Sequence, residues 1–125
     1  MNMLLAIAVG GGAGSLARFW LSSWVQPANA AFPWGIFTVN ILGGLLMGMI
    51  VELGALKLNL SPELRAFLTT GVLGGFTTFS TFSLESALLL QKGEYGLAAA
   101  YMTGSVVLSI AALFTGLWIV RVLYA

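Results

Sequence analysis

The stretch FWLSSWVQPANAAFPWGIFTVNILGGLLMGMIV, residues 19–51, contains no Asp, Glu, Lys or Arg. Its two apolar runs are separated by a short segment that holds Pro27 and Pro33, and proline cannot continue a helix. A helix needs roughly 20 residues to cross a bilayer. Taken with the apolar residues before it, the stretch predicts two membrane-spanning helices joined by a short loop, with Trp24 and Trp34 at the membrane interface.

Three further stretches also lack charged residues, namely 1–17, 66–84 and 95–120. Of the 125 residues, 59% are hydrophobic and 7% are charged, whereas about a quarter of a soluble domain is charged. We therefore predict an all-α integral membrane protein, embedded in the lipid bilayer of the plasma membrane. The prediction is one four-helix transmembrane domain over residues 1–125, with helices at about 3–25, 34–53, 62–92 and 95–123.

The composition excludes several classes of function. A net charge of +1 gives no electrostatic footprint for nucleic acid. The absence of Cys and His removes disulfides, thiolate or imidazole metal sites and His-based acid–base chemistry. Without a nucleophile and base pair, we do not expect an enzyme.

The few basic residues give only a weak signal for the orientation of the chain in the membrane. Lys57, Arg65 and Arg121 would lie on one side of the membrane, and Lys92, with Arg18 if it counts, on the other. So small a bias predicts that the chain inserts in either orientation.

Pairs of glycines four residues apart recur along the chain, a spacing that lets helix backbones approach closely. They are Gly10 and Gly14, Gly44 and Gly48, and Gly71 and Gly75. Helices packed this tightly leave little room for a water-filled lumen within one subunit. A pore would therefore need a second subunit.

The segment GVLGGFTTFSTFS, residues 71–83, is the most unusual in the chain. Gly74 and Gly75 at the middle of the third helix predict a break there, and the carbonyl groups that a break frees suit a small cation such as Na⁺. Phe76, Phe79 and Phe82 fall three apart on one stripe. Such a stripe ordinarily packs in a core, but because this one is interleaved with hydroxyl donors we expect Phe79 and Phe82 to line an ion path. The donors include Thr78, Ser80 and Thr81.

Other polar residues lie at membrane depth. Asn40 is either a contact between helices or a donor on a polar pathway, and Arg18 either reaches the interface or stands in a water-filled vestibule. Glu85 is a carboxylate on the far half of the third helix, which we assign to the same kind of vestibule; the alternative is a position at the membrane interface next to Lys92. Tyr101, Ser105 and Ser109 follow at four-residue steps on the fourth helix. Donors without carboxylates among them would solvate an anion, helped by the positive edges of phenylalanine rings.

At these residues the sequence closely resembles the Fluc (CrcB-like) family of fluoride channels. Three motifs carry the resemblance: GGAGSLARF at 11–19, GIFTVNILG at 35–43 and GVLGGFTTFSTFSLE at 71–85. The resemblance implies passive fluoride export through an antiparallel, dual-topology homodimer with two pores and a structural Na⁺ at its centre.

Roles for individual residues follow from the same resemblance. It implies that Phe79 and Phe82 are pore phenylalanines, that Asn40 is the pore amide and that Arg18 lies in a vestibule. It also implies that Tyr101 and Ser105 continue the polar track. The carbonyls implied to hold Na⁺ are those of Gly74 and Thr77.

Three other readings compete with the channel. A transporter of the small multidrug resistance type has similar length and topology, but it needs a carboxylate in its first helix, which is missing here. Proton-coupled fluoride antiport would have to rely on Glu85. A structural subunit of a larger complex explains the glycines but not the run of Thr, Phe and Ser.

Overall fold

The computed structural model describes residues 2–124, and over this range the chain forms helices and short connections with no strand. The all-α prediction is confirmed. The elements in order are α1 (Met3–Val25), α2 (Trp34–Leu56), α3 (Pro62–Ala66), a π-helix (Phe67–Leu73), α4 (Gly74–Phe76), α5 (Phe79–Gln91) and α6 (Tyr95–Tyr124).

Three of these helices, α1, α2 and α6, are long and apolar enough to cross a membrane. The helical segment over 62–91 is divided instead into α3, the π-helix, α4 and α5. Ser61 caps its start as predicted, its Oγ accepting a hydrogen bond from the Leu64 N–H at 3.1 Å. Gly93, with φ of 76°, forms the turn into α6.

Helix α2 ends at Leu56, beyond the end predicted near Leu53. In the sequence, Glu52, Lys57 and Asn59 indicate a polar connection after the second helix. Glu52 is instead 6% exposed inside α2, and Arg121 Nη2 donates to both of its carboxylate oxygens at 3.2 Å. A partner on α6 therefore allows a carboxylate to lie in the last turns of α2.

The break in the third segment is two to three residues later than predicted. Gly74 has helical angles of −63° and −38°, and Gly75 lies within α4. The extended residues are Thr77, with φ and ψ of −83° and 158°, and Thr78, with −150° and 124°. Gly75 does not break the helix. It allows close packing on α1, because a Cβ atom on Gly75 would overlap the carbonyl oxygen of Gly11.

Glycines bring helices into backbone contact at two interfaces. A Cβ atom on Gly10 of α1 would lie 2.6 Å from the carbonyl oxygen of Phe67 in the π-helix, and one on Gly44 of α2 would lie 2.6 Å from that of Ser109 on α6. Such distances are too short for any side chain. Close packing of α1 on the π-helix and α4, and of α2 on α6, therefore requires glycine.

Gly14 offers a direct test of this packing. Its Cβ atom would overlap the carbonyl oxygen of Val72 and lie 2.9 Å from the Phe76 nitrogen, so that backbone would have to move. We expect Gly14→Ala to lower the free energy of unfolding in mixed detergent by roughly 1–3 kcal/mol. Gly12→Ala, on the same helix with nothing within 4 Å of its Cβ position, is the matched control. Equal stability of the two variants would contradict the packing role.

Candidate functional site

The break at Thr77 and Thr78 is held by one side chain from α2. The Oδ1 atom of Asn40 accepts from the Thr78 N–H at 2.9 Å, and its Nδ2 atom donates to the Thr78 carbonyl oxygen at 3.1 Å. The amide thus pairs with extended backbone as a neighbouring strand would. Thr78 also caps α5, since its Oγ1 accepts from the Thr81 N–H at 3.1 Å. One of the two amide hydrogens of Asn40 remains available.

The break frees carbonyl groups at the end of α4. Thr78 N–H binds Asn40 and Thr81 N–H binds the Thr78 side chain, and across residues 2–124 no backbone hydrogen bond from 78–81 returns to the carbonyls of 74–77. The Thr77 carbonyl instead receives a long 3.5 Å contact from Arg18 Nη1 on α1. Gly74 is exposed. An all-carbonyl oxygen set of this kind fits a hard monovalent cation such as Na⁺.

The phenylalanines of this segment divide at the break. Phe76 is buried among residues of α2 and the π-helix, so it does not share a surface with the two phenylalanines that were predicted for the ion path. Phe79 and Phe82 lie together on α5, with ring centroids 5.7 Å apart. Phe79 is 78% exposed. The extended residues turn α5 away from the line of α4, which separates the two later rings from Phe76.

A groove of about 430 Å³ runs along α2, the break and α6. None of its lining residues carries a charge. Five predicted pore residues lie here together, namely Asn40, Thr78, Phe79, Phe82 and Ser105. Thr77, which was predicted for the cation, also lines it, as do Ser109 and several apolar residues.

Two hydroxyl groups in the groove are unusual. Ser105 and Ser109 have buried Oγ atoms, and neither finds a hydrogen-bond partner within the part of the chain that the structure describes. Other helical hydroxyls in this protein bond to a carbonyl four residues earlier, for example Ser86 to Phe82 and Thr115 to Ala111, both at 2.8 Å. Buried polar groups are normally satisfied. Within the described residues, these two groove-lining hydroxyls therefore lack an internal partner.

The two intramembrane groups beyond the groove bind each other. Tyr101 is fully buried on α6, packs its ring 5.2 Å from that of Phe82, and donates from its hydroxyl to Glu85 Oε1 at 2.9 Å. Glu85 also lines a second cavity of about 550 Å³ with Gln26 and Lys92. The carboxylate therefore stands between the aromatic residues and an open polar cavity.

Some predicted residues lie outside the groove lining. Ser80 and Thr81 follow Thr78 in the first turn of α5, where Ser80 Oγ lies 3.3 Å from Thr78 Oγ1. Tyr101 reaches the groove only through Phe82. Ser109 was noted on the polar line of α6 but not chosen as a site residue; its four-residue step from Ser105 was the available signal. The ring contacts of Phe32 and Phe37 with Tyr101 gave no sequence signal.

Comparison with known proteins identifies the family of the chain. The model of the family described as "CrcB-like protein, Camphor Resistance (CrcB)" matches residues 5–117. Proteins named "Fluoride-specific ion channel FluC" from Rhodospirillum centenum and Agrobacterium fabrum are each 50% identical over 125 residues, covering 97% and 99% of this chain and 97% and 100% of their own lengths. A relative of the same name from Caulobacter vibrioides is 49% identical over the full length of both chains.

These relatives are ion channels and not enzymes, as the composition predicted for this chain. The membrane-spanning helices and the bacterial relatives agree with a multi-pass protein of the bacterial plasma membrane. The resemblance seen in the three sequence motifs is confirmed over nearly the whole chain. The chain belongs to the CrcB-like family.

Proposed function

We propose that this protein is a fluoride-selective channel that lets fluoride leave the cytoplasm passively. The observation that carries the proposal is the pair of unpartnered hydroxyls, Ser105 and Ser109, in an uncharged groove that also contains Phe79 and Phe82. Two full-length relatives at 50% identity bear the name of a fluoride-specific ion channel, and the groove is chemically suited to that ion.

The chemistry of the groove favours a small anion over a cation. Hydroxyl donors replace part of the water shell of an anion, and the edges of phenylalanine rings carry the positive part of the ring quadrupole. Asn40 adds an amide N–H from the opposite wall. No carboxylate lies on the walls that the described residues form, so no fixed negative charge there would repel an anion.

The pathway needs a second subunit on this proposal. Phe79 is 78% exposed in the single chain, and the groove is open along one side. We infer an antiparallel homodimer in which each groove is closed by the partner, giving two pores. The segment over residues 62–91 would supply the fourth membrane crossing despite its break. The small difference in Lys and Arg between the two ends supports insertion in both orientations.

A Na⁺ ion at the break fits the donors present. The carbonyls of Gly74 and Thr77 would hold it, since neither accepts a helical N–H within residues 2–124, and the ion would displace the long 3.5 Å contact from Arg18 Nη1 to the Thr77 carbonyl. Two oxygens from one chain leave most of the coordination of the ion open, so a second copy would have to supply more. When bound, the ion would satisfy freed carbonyl groups at a depth where water is scarce.

Arg18 and Glu85 are placed for the approaches to the pore. Arg18 is half-buried beside the break, where its charge would attract anions toward the membrane. Glu85 lines the polar cavity at the other end of the aromatic cluster and is held by Tyr101. Both would act in vestibules and not at the narrowest part of the path.

The central test measures anion efflux from liposomes that contain the pure protein, with fluoride or chloride inside and no proton gradient. We expect flux for fluoride only. Phe82→Ile keeps apolar bulk but removes the ring edge, so fluoride efflux should fall by about tenfold or more while the free energy of unfolding falls by roughly 1 kcal/mol.

The matched control is Phe114→Ile on α6, where the ring is 63% exposed and lies outside the groove. This variant should keep wild-type flux. Flux that requires a pH gradient would replace the channel by proton-coupled antiport. If Phe82→Ile shows normal fluoride efflux and only a lower free energy of unfolding, the Phe82 ring has a packing role and not a role in permeation.

The dual orientation has its own test in the loop between α1 and α2, which has no basic residue. Adding three Lys within residues 28–31 should hold that loop on the cytoplasmic side. A second variant with Lys added near the opposite helix ends should take the reverse orientation. We expect each variant alone to be inactive and the coexpressed pair to recover fluoride resistance in cells. Full activity of either variant alone would exclude the antiparallel dimer.

The Na⁺ site is tested by exchanging the cation on both sides of the membrane. Replacing Na⁺ by N-methylglucamine should shift the monomer–dimer equilibrium in detergent toward monomer, because ions that bind only the assembled form stabilise it. Fluoride flux should decline over the same period. A dimer with unchanged dissociation and flux after prolonged exchange would rule out a structural role for the ion.

A further inference from the structure

The short loop between α1 and α2 is fixed in shape by one residue at its beginning. Gln26 Nε2 donates to the Phe32 carbonyl oxygen at 3.1 Å, and Gln26 Oε1 accepts from the Gly35 N–H at 2.9 Å. Pro27 and Pro33 restrict the backbone further. The amide thus links the end of α1 to the start of α2, and its hydrogen bond to the Phe32 carbonyl fixes the position of Phe32 in the loop.

That residue, Phe32, turns its ring inward against the aromatic cluster. It meets Tyr101 edge to face, with centroids 5.5 Å apart and planes at 89°, and it meets Phe37 at 5.1 Å and 79°. These are favourable geometries for aromatic pairs. Phe82 packs against the same tyrosine at 5.2 Å. The Tyr101 ring therefore contacts a loop residue and a groove residue at once.

We propose that Phe32 is a positioning residue for ion permeation: it holds the Tyr101 ring so that its hydroxyl stays on Glu85 and its face supports Phe82. The inference rests on the proposed channel function. Phe32 is not in the groove, and it acts only through Tyr101.

The contact between Phe32 and Tyr101 matters because a cavity lies beside the aromatic residues. The cavity of about 550 Å³ under the loop is lined by Pro33 and Leu89, and Leu89 belongs to the same cluster as Tyr101. Loss of the Phe32 ring would leave the phenol free to tilt toward that open volume. Tilting would lengthen the 2.9 Å hydrogen bond to Glu85 and withdraw support from the Phe82 ring.

A double-mutant cycle in the fluoride efflux assay tests the proposal. Phe32→Leu should reduce flux by about tenfold, a coupling of the size that touching residues show. Phe32→Tyr, which keeps the ring, should restore wild-type flux. In a Tyr101→Leu background, where both the ring and the hydroxyl are already absent, Phe32→Leu should cause less than about a twofold further loss. The same loss in both backgrounds, or wild-type flux in Phe32→Leu, would overturn the proposal.

Trp34→Leu is the matched control, because Trp34 contacts Phe32 and Phe37 but has no ring contact with Tyr101. It should leave flux near the wild-type value. A loss in Trp34→Leu as large as that in Phe32→Leu would show general packing of the loop and would also overturn the proposal.

A spectroscopic measurement separates this inference from the channel function. The protein has three tyrosines, so 3-fluorotyrosine labelling gives three ¹⁹F resonances, and Tyr101→Phe identifies the one of interest. We expect that resonance to shift and broaden in Phe32→Leu and to stay in place in Trp34→Leu. An unmoved resonance in Phe32→Leu refutes the positioning role. Failure of the wild-type protein to pass fluoride refutes the channel function and leaves the spectroscopic result standing.

Discussion

The pairing of the Asn40 amide with the backbone of Thr78 is the interaction on which the rest of the site depends. Extended residues in the middle of a membrane segment leave N–H and C=O groups without helical partners, at a cost of several kcal/mol each in hydrocarbon. One amide satisfies both groups of Thr78. The break then frees the carbonyls before it and provides the N-cap of α5 after it, which turns Phe79 and Phe82 toward the serines of α6.

Close glycine packing explains why the polar surface lies at the side of the subunit. Backbone contact at Gly10 and Gly44 leaves no lumen between α1, the π-helix, α2 and α6. The hydroxyls of α6 therefore line an open groove. Phe79 lies at the edge of the groove and is 78% exposed. Two nearby hydroxyls have no hydrogen-bond partner within the described residues. A single chain therefore leaves both an apolar ring and two polar groups unsatisfied. Because this packing leaves the groove open to one side, the channel proposed above includes a second subunit that would enclose the path.

The sequence predicted the helices well because apolar length and proline are local signals. It misplaced the break because glycine has two uses that a sequence pattern does not separate. Gly74 and Gly75 were interpreted as helix breakers, but Gly75 is needed for contact with Gly11, more than sixty positions away. Glu52 was interpreted as part of a connection because its partner, Arg121, lies on another helix and gives no local signal. The role of Asn40 at the break likewise depends on tertiary pairing.

The distribution of polar groups separates those that stabilise the fold from those available to an ion. The Glu52 carboxylate is bound by Arg121, and Glu85 is bound by Tyr101, so neither lines the groove. Several helical hydroxyls donate to a carbonyl of their own helix, whereas those of Ser105 and Ser109 have no hydrogen-bond partner within residues 2–124. The groove is therefore lined by uncharged groups, namely hydroxyl and amide side chains, phenylalanine rings and aliphatic side chains. In the channel proposed above, such a wall would attract an anion without binding it through a full positive charge, as rapid passage requires, because an ion that binds too tightly does not leave.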